Sequence, residues 1–315
     1  MSRQRRPGRL TVLAPLVLAL GLLAPAAPAG ASALVVGHDE TEWFVLSLVN
    51  SSRTVEEAPV ARTRTLDALA STCVRDQATA GAVSPEPVQY LSQTPPGAFD
   101  SIVLVRRSSP WVVDSGDFVT DVWSSRLIMD ARAPAMTDAG VAVARDGTSY
   151  WVCVVLAAYD HGSPARDELP LYRFFRPESG THLYSTSAAE RDRVASQSWE
   201  YRYEGLVGFV GAPRSAASGA VQDLYRFYRP VSGTHFYTAT RHEFESVLRH
   251  PEYRLDGLAG RVRSTPGDGL VAMHRFYRPA SGTHFYSANA TEVDAVKQLR
   301  GYTYEGVAFY LRPAR

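Results

Sequence analysis

Three stretches of the chain repeat one pattern of basic, aromatic and acidic residues that could bind a ligand. Each copy approximates Arg-Phe-Tyr-Arg-Pro-x-Ser-Gly-Thr-His-Phe-Tyr, and an acid follows. Aromatic faces beside Arg, His and carboxylate groups suit sugars, which offer C–H faces and hydroxyls, and three copies would add avidity for a polymer. The candidate binding residues are Arg173, Arg176, His182, Tyr184, Glu204, Arg226, Arg229, His235, Tyr237, Asp256, Arg275, Arg278, His284, Tyr286 and Glu305.

The same residues allow two other interpretations. In the first they are structural: the Arg pairs with the acid, the His hydrogen-bonds the hairpin, and the aromatic rings form the core. In the second, His182, His235 and His284 converge on an axis between the repeats and bind a metal ion. Both remain open at this point, although we predict neither a bound metal nor a cofactor.

The segments that carry these residues predict a strand–strand–helix–strand unit in each copy. Alternating residues before the proline predict a half-buried strand, Ser-Gly a turn, and Thr-His-Phe-Tyr a returning strand. An acid–Gly pair opens the last strand, and a capping box opens each helix, formed by Ser187 with Glu190, Thr240 with Glu243 and Asn289 with Glu292. Because one unit cannot bury its own faces, we expect the three to pack together with pseudo-threefold symmetry.

This region resembles a repeat family found at the ends of secreted bacterial and fungal proteins, often beside hydrolases and without known function. The resemblance rests on the Arg-Phe-Tyr-Arg-Pro-x-Ser-Gly-Thr-His-Phe-Tyr core and covers residues 171–315, with repeats at about 171–211, 224–263 and 273–312. It implies an accessory binding or wall-associated role.

The amino terminus predicts export. Residues 1–33 combine a basic start, an apolar run and a small-residue cleavage site, which is typical of a signal peptide. We therefore expect a secreted or extracellular protein, and no later segment has the ~20 apolar residues of a membrane span. Removing this segment takes four Arg and no acid from a chain of net charge +1, which leaves −3. That balance does not favour a nucleic-acid partner.

The mature chain would hold two cysteines, Cys73 and Cys153. In an exported protein such a pair favours a disulfide, with two buried free thiols as the alternative. A catalytic cysteine is not favoured, because residues 40–159 contain no His to activate it.

The first domain is predicted to be α+β and to span residues 34–160, with a linker at 161–170 before the β-rich repeats. Periodic apolar residues predict helices at about 40–52, 63–79 and 118–129 and a strand at 101–106. Two further strands, 139–144 and 149–157, flank an Asp-Gly turn.

These elements resemble the CAP superfamily of cysteine-rich secretory and antigen 5 proteins, whose domain is an α-β-α sandwich. The similar phrases are Leu-Val-Asn-Ser-Ser-Arg at 48–53, Leu-Asp-Ala-Leu-Ala at 66–70, Trp-Ser-Ser at 123–125 and the hairpin at 139–152. Many members bind a metal through two His and two Glu. Here Arg126 follows the serines where the family has a His, so the resemblance implies a scaffold without that metal cleft.

The sequence thus favours a secreted, non-enzymatic binding protein that attaches to a cell-wall or extracellular glycan through its repeats, with no catalytic residues. The alternative is a secreted hydrolase with its catalytic site in the first domain and the repeats as an anchor. A purely structural wall protein is a third possibility.

Overall fold

A computed structural model describes residues 35–36, 39–53, 57–81, 95, 98–108, 136–145, 150–196, 200–213 and 221–315. Residues 33–315 form one compact unit. Within the described ranges, none of the helices has the length and apolar character needed to cross a membrane.

The amino-terminal part is built on a five-stranded sheet in the order β1-β4-β5-β3, with β2 added beside β4. Its strands are β1 (Val35–Val36), β2 (Ala61–Arg62), β3 (Ala98–Ser108), β4 (Asp138–Arg145) and β5 (Tyr150–Tyr159). The predicted hairpin is present as the antiparallel pair β4–β5, and β3 contains the strand predicted at 101–106. The helix predicted at 118–129 and the Trp-Ser-Ser phrase lie outside the described residues.

Two helices cover opposite faces of this sheet. Helix α1 (Asp39–Ser52) packs against the face that carries Val141 and Val143, and α2 (Arg64–Ala80) packs against the face that carries Ala142 and Ala144. Successive strand residues point to opposite faces, so the alternation of Val and Ala along β4 gives one face of the sheet large side chains and the other small ones. Gly140 is required here, since a Cβ at this position would lie 2.0 Å from the backbone carbon of Leu66 in α2. Within the described ranges the layers are therefore helix, sheet and helix.

The predicted disulfide is confirmed. Cys73 of α2 is bonded to Cys153 of β5, their Cα atoms lie 6.2 Å apart, and both residues are fully buried. The bridge links residues 80 positions apart in sequence and pins α2 to the sheet. A pair of this kind is typical of an oxidising compartment.

The carboxyl-terminal part contains three strand–strand–helix–strand units, which confirms the tandem repeat. The first unit holds β6 (Glu168–Arg176), β7 (Thr181–Ser185), α3 (Ala188–Ser196) and β8 (Arg202–Gly211). The second holds β9 (Val221–Arg229), β10 (Thr234–Thr238), α4 (Arg241–Leu248) and β11 (Arg254–Arg263). The third holds β12 (Val271–Arg278), β13 (Thr283–Ser287), α5 (Ala290–Lys297) and β14 (Thr303–Pro313).

The three units close around a common axis. Their last strands β8, β11 and β14 pair with one another near their ends, which joins three small sheets into one. On the axis, the rings of Tyr184, Tyr237 and Tyr286 form a near-equilateral triangle with centroid separations of 5.6, 5.7 and 6.0 Å. The pseudo-threefold arrangement follows from this shared core, since no single unit encloses its own tyrosine.

The segment predicted as a linker is more ordered than its composition suggested. Strand β6 begins at Glu168, inside the predicted linker of residues 161–170, and Glu168 binds Arg312 of the last strand. His161 lies 2.5 Å from the buried Asp138 of β4. Side-chain pairing therefore fixes both ends of a stretch that local turn signals marked as irregular.

Candidate functional site

The first arginine of each repeat is held by two carboxylates from different repeats. Arg173 Nε lies 2.5 Å from Glu204 in its own repeat, and its terminal nitrogens donate to Glu292 of the third repeat at 2.7 and 2.9 Å. We call Arg173, Arg226 and Arg275 the inner arginines. Such forked, charge-assisted pairs are among the stronger hydrogen bonds in proteins.

The same two contacts recur around the axis. Within a repeat, the inner arginines bind Glu204, Asp256 and Glu305 at 2.5, 2.6 and 2.7 Å. Between repeats, the pairs are Arg173 with Glu292, Arg226 with Glu190 and Arg275 with Glu243, at 2.7, 2.6 and 2.8 Å. Each repeat thus contributes one carboxylate that accepts hydrogen bonds from the inner arginine of the next repeat, and the three contacts form a closed ring. This arrangement fits the structural interpretation of the inner arginines and their acids.

In each repeat, a β-bulge positions the acid that binds the inner arginine of the same repeat. Arg173 lies opposite Gly205 and Phe174 opposite Tyr203, so Glu204 is the extra residue on β8. Gly205 has a φ of +102°, which favours glycine. Asp256 and Glu305 occupy the same bulge in the other repeats. The acid–Gly pair seen in the sequence is therefore the signature of a bulge that directs a carboxylate to the arginine.

The capping-box acids have a role that the sequence did not reveal. Ser187 and Asn289 accept from the backbone N–H groups of Glu190 and Glu292, as predicted, but Thr240 makes no side-chain cap bond. The acids themselves bind the inner arginine of the following repeat instead of the helix start. The only sign of this contact in the sequence was that the acid recurs in all three copies. Helix capping alone already explains an acid at this position, so the sequence offered no reason to expect a second role.

Hydrogen bonds and neighbouring positive charges lower the pKa values of Glu204 and of the three capping-box acids. Burial raises the pKa of Glu204, but the hydrogen bond from His182 and the charge of Arg173 outweigh burial and bring it to about 2. For Glu243, hydrogen bonds from Arg275 and Thr238 likewise outweigh burial, and its pKa is lowered. These groups are therefore ionised anchors at neutral pH.

The three histidines lie between neighbouring repeats and do not converge on one point. His182 and His284 pack edge-on against Phe285 and Phe236 of a neighbouring repeat, with ring centroids 5.0 and 4.7 Å apart. Burial and the charge of the inner arginine lower the pKa of His235 and His284 to about 4. In the described part of the chain, no group of three His, Cys, Asp or Glu side chains is arranged to hold a metal ion. The three-His metal interpretation is thus not supported.

Tyr184, Tyr237 and Tyr286, proposed from the sequence as ligand contacts, are instead part of the core. Tyr237 donates to the carbonyl of Tyr184 at 2.7 Å and accepts from its N–H at 2.9 Å. Tyr286 binds the backbone of Tyr237 in the same way, at 2.7 and 3.1 Å, and Tyr184 donates to the carbonyl of Tyr286 at 2.5 Å. Each side chain is at most 3% exposed. Burial excludes these tyrosines from a surface site.

The second arginine of each repeat lies at the surface between repeats. We call Arg176, Arg229 and Arg278 the outer arginines. Their guanidinium carbons lie 5.9, 6.0 and 5.9 Å from the ring centres of half-buried tyrosines, which are Tyr201, Tyr253 and Tyr302. These tyrosines were absent from the candidates, although one precedes each bulge acid by three residues. That spacing was the signal that could have found them.

Each outer arginine also contacts the hairpin turn of the next repeat. A Cβ at Gly233, Gly282 or Gly180 would lie 2.6, 3.1 or 3.1 Å from Nη1 of Arg176, Arg229 or Arg278. The turn glycines have φ of +65° to +66°, and the flanking Ser and Thr hydroxyls hydrogen-bond each other. We call the surface formed by an outer arginine, its tyrosine and the facing turn a junction groove. The Ser-Gly-Thr sequence is therefore needed both for the turn and for close approach of the arginine.

Two other polar regions are internally neutralised. In the amino-terminal part, Arg62 binds Glu42 at 2.5 Å and Asp67 at 2.9 Å. A cavity of about 380 Å³ lies among the ends of β8, β11 and β14, where Arg312 binds Glu168 and Arg261 lies 3.4 Å from Asp223. In both regions, acidic side chains of the chain itself form ion pairs with these arginines.

The comparisons with known proteins agree with the repeat geometry. The model of the family described as Domain of unknown function (DUF5648) matches residues 149–222, which include the first repeat, and 223–314, which include the other two. No curated protein matches the chain. Because the matched segments cover more than half of its length, the chain belongs to the DUF5648 family.

Proposed function

We propose that this is a secreted, non-enzymatic binding protein that attaches to a cell-wall or extracellular glycan through the three junction grooves. The observation that carries the proposal is the outer Arg–Tyr pair, which recurs in every repeat at the surface. The inner arginines, their acids and the axial tyrosines satisfy one another, whereas each groove keeps a half-buried ring and a guanidinium at the surface. Two of these guanidiniums, those of Arg176 and Arg229, also contact Glu178 and Glu252.

The chemistry of the groove suits a saccharide. A half-buried tyrosine can pack against the C–H face of a sugar ring while its hydroxyl bonds a sugar hydroxyl. The adjacent guanidinium supplies several donors in a fixed plane. Three weak grooves on one rigid module would act together on a polymer, because the second and third contacts are intramolecular.

Secretion is supported by the Cys73–Cys153 bridge, since disulfides persist in oxidising compartments. For the amino-terminal domain, we propose a CAP-like α-β-α scaffold that lacks the family's metal cleft. Its support is the helix–sheet–helix layering, together with the absence of His from residues 40–159 of the sequence.

Sedimentation with insoluble peptidoglycan, chitin and cellulose tests the function. We expect the full-length mature protein to bind at least one of them, and replacement of Tyr201, Tyr253 and Tyr302 together by Ala to reduce bound protein at least about tenfold. The matched control replaces Phe44, Leu248 and Leu258, exposed apolar residues outside the grooves, by Ala. Equal binding by both variants, or no binding by the parent protein to any polymer, would overturn the proposal.

A further inference from the structure

The three junction grooves differ in one respect that bears on their ligand. Arg176 lies 3.2 Å from Glu178, and Arg229 lies 2.5 Å from Glu252, so two outer arginines already bind a carboxylate of this chain. Among the described residues, no carboxylate contacts Arg278, whose contacts are the ring of Tyr302 and the turn at Gly180.

The repeat alignment explains the difference. The position of Glu178 is occupied by Val231 and Ala280 in the second and third repeats. The position of Glu252 is occupied by Gly301 in the third repeat. The first repeat uses Glu178, and the second uses Glu252, to neutralise its own outer arginine. The third repeat has no acid at either of these positions. Glu178 itself lies in the turn that faces Arg278, but it is paired with Arg176.

We infer that the groove between the third and first repeats is an anion site that takes the carboxylate of an acidic glycan. In the other grooves the chain's own Glu occupies the place of that carboxylate. A guanidinium binds a carboxylate through two parallel N–H donors, and Tyr302 beside it can stack on the sugar ring. This inference rests on the proposed function and adds selectivity for a charged sugar at one groove.

The test uses oligogalacturonate and its methyl-esterified form, which share a backbone and differ in charge. We expect the full-length mature protein to bind the free acid at least about tenfold more tightly, and Arg278→Gln to abolish this preference. Ala280→Glu and Gly301→Glu restore the missing acids and should have the same effect as Arg278→Gln. Space is available at residue 301, because no atom lies within 4 Å of a Cβ there. The matched control is Val231→Glu, which adds the same charge at an 88% exposed position beside the already paired Arg229.

Affinity measured by titration calorimetry separates the outcomes. If the Arg278→Gln variant still prefers the free acid to the methyl ester, the anion-site proposal is wrong. It is also wrong if Val231→Glu loses this preference as fully as Arg278→Gln does. Equal binding of both oligomers that is lost in the Tyr201, Tyr253 and Tyr302 triple variant overturns the anion site alone and leaves the glycan function standing. Binding of neither oligomer, while an insoluble polymer still sediments the protein, also overturns only the anion site.

Discussion

At the scale of the residue, chemically similar side chains have opposite roles that depend on their distance from the axis. Each inner arginine is fixed by two acids, whereas each outer arginine lies on a tyrosine at the surface. The axial tyrosines use their hydroxyls as backbone partners, replacing hydrogen bonds that a strand would otherwise make. For the tyrosines, burial separates the structural groups from those that can meet a ligand, and for the arginines the number of acids that bind them does so.

Tyr237→Phe should be destabilising without loss of side-chain volume. The change removes the hydroxyl that binds both the N–H and the carbonyl of Tyr184. The buried N–H loses its partner, and the carbonyl keeps a long contact of 3.4 Å from Arg226. We expect the free energy of unfolding to fall by about 1–3 kcal/mol, measured by urea denaturation. Tyr304→Phe, at a 42% exposed position, is the control and should change it by less than about 0.5 kcal/mol. A neutral Tyr237→Phe would show that the axial hydroxyls do not stabilise the fold.

Stability should fall between pH 6.5 and pH 4. The folded-state pKa of His235 and of His284 is about 4, against 6.5 for an unperturbed histidine, so the unfolded chain binds protons first as the pH drops. The free energy of unfolding is therefore highest above pH 6.5, and it decreases as the pH falls from 6.5 to 4. The decrease is at most about 3 kcal/mol for each histidine.

Melting temperatures across this range test the assignment. His235→Gln with His284→Gln should flatten the pH dependence, whereas the exposed His242→Gln should leave it unchanged. The acid Glu204, with its pKa near 2, loses its contribution mainly below about pH 4.5, so it overlaps only the lower end of this window. An unchanged slope in the double variant would exclude these histidines as its cause.

At the scale of the element, one helix carries two acids with different expected contributions. On α4, Glu243 faces Arg275 of the next repeat at 2.8 Å, while Glu245 pairs with Arg241 on the exposed face at 2.9 Å. The first contact joins two repeats and is mostly shielded from solvent. The second lies within one helix, and surface pairs of this kind contribute little.

Glu243→Gln should therefore lower the free energy of unfolding by about 2 kcal/mol or more, because it leaves a shielded guanidinium with one acid fewer. Glu245→Gln on the same helix should change it by less than about 0.5 kcal/mol. Thermal unfolding of both variants at neutral pH and moderate salt checks the difference. Equal effects would mean that the ring of pairs between repeats does not hold the module together.

At the scale of the molecule, the first repeat completes its core with the amino-terminal domain. Ala61 packs with Tyr172 and Tyr203 of the repeat, and Trp43 lies between Arg62 and Arg202, whose guanidinium carbons are 5.1 and 5.0 Å from its ring. The residues equivalent to Tyr203 in the other repeats are Leu255 and Tyr304, which are exposed. The two domains are thus one unit because a single repeat has an apolar face that the other domain covers.

Trp43→Ala should weaken this junction without changing either sheet. Trp43 also packs against the core of the amino-terminal part. The loss of this packing together with two cation–π contacts predicts a decrease of about 2 kcal/mol or more in the free energy of unfolding. Differential scanning calorimetry should show the single transition of the parent broadening or separating into two. Phe44→Ala, the exposed neighbour on α1, is the control. An unchanged transition would show that Trp43 does not couple the domains.

The sequence alone determined the number of repeats and the order of strands and helix within each, and it favoured the Cys73–Cys153 pairing that the structure confirms. These depend on local periodicity, turn chemistry and an even cysteine count, which can be recognised without knowing what packs against what. Only the tertiary structure decided that Glu292 belongs to Arg173, that the axial tyrosines are core, and that Arg278 lacks the acid its counterparts have. Those contacts join residues up to 119 positions apart, and they form only when three units close into a ring and bury one face of each.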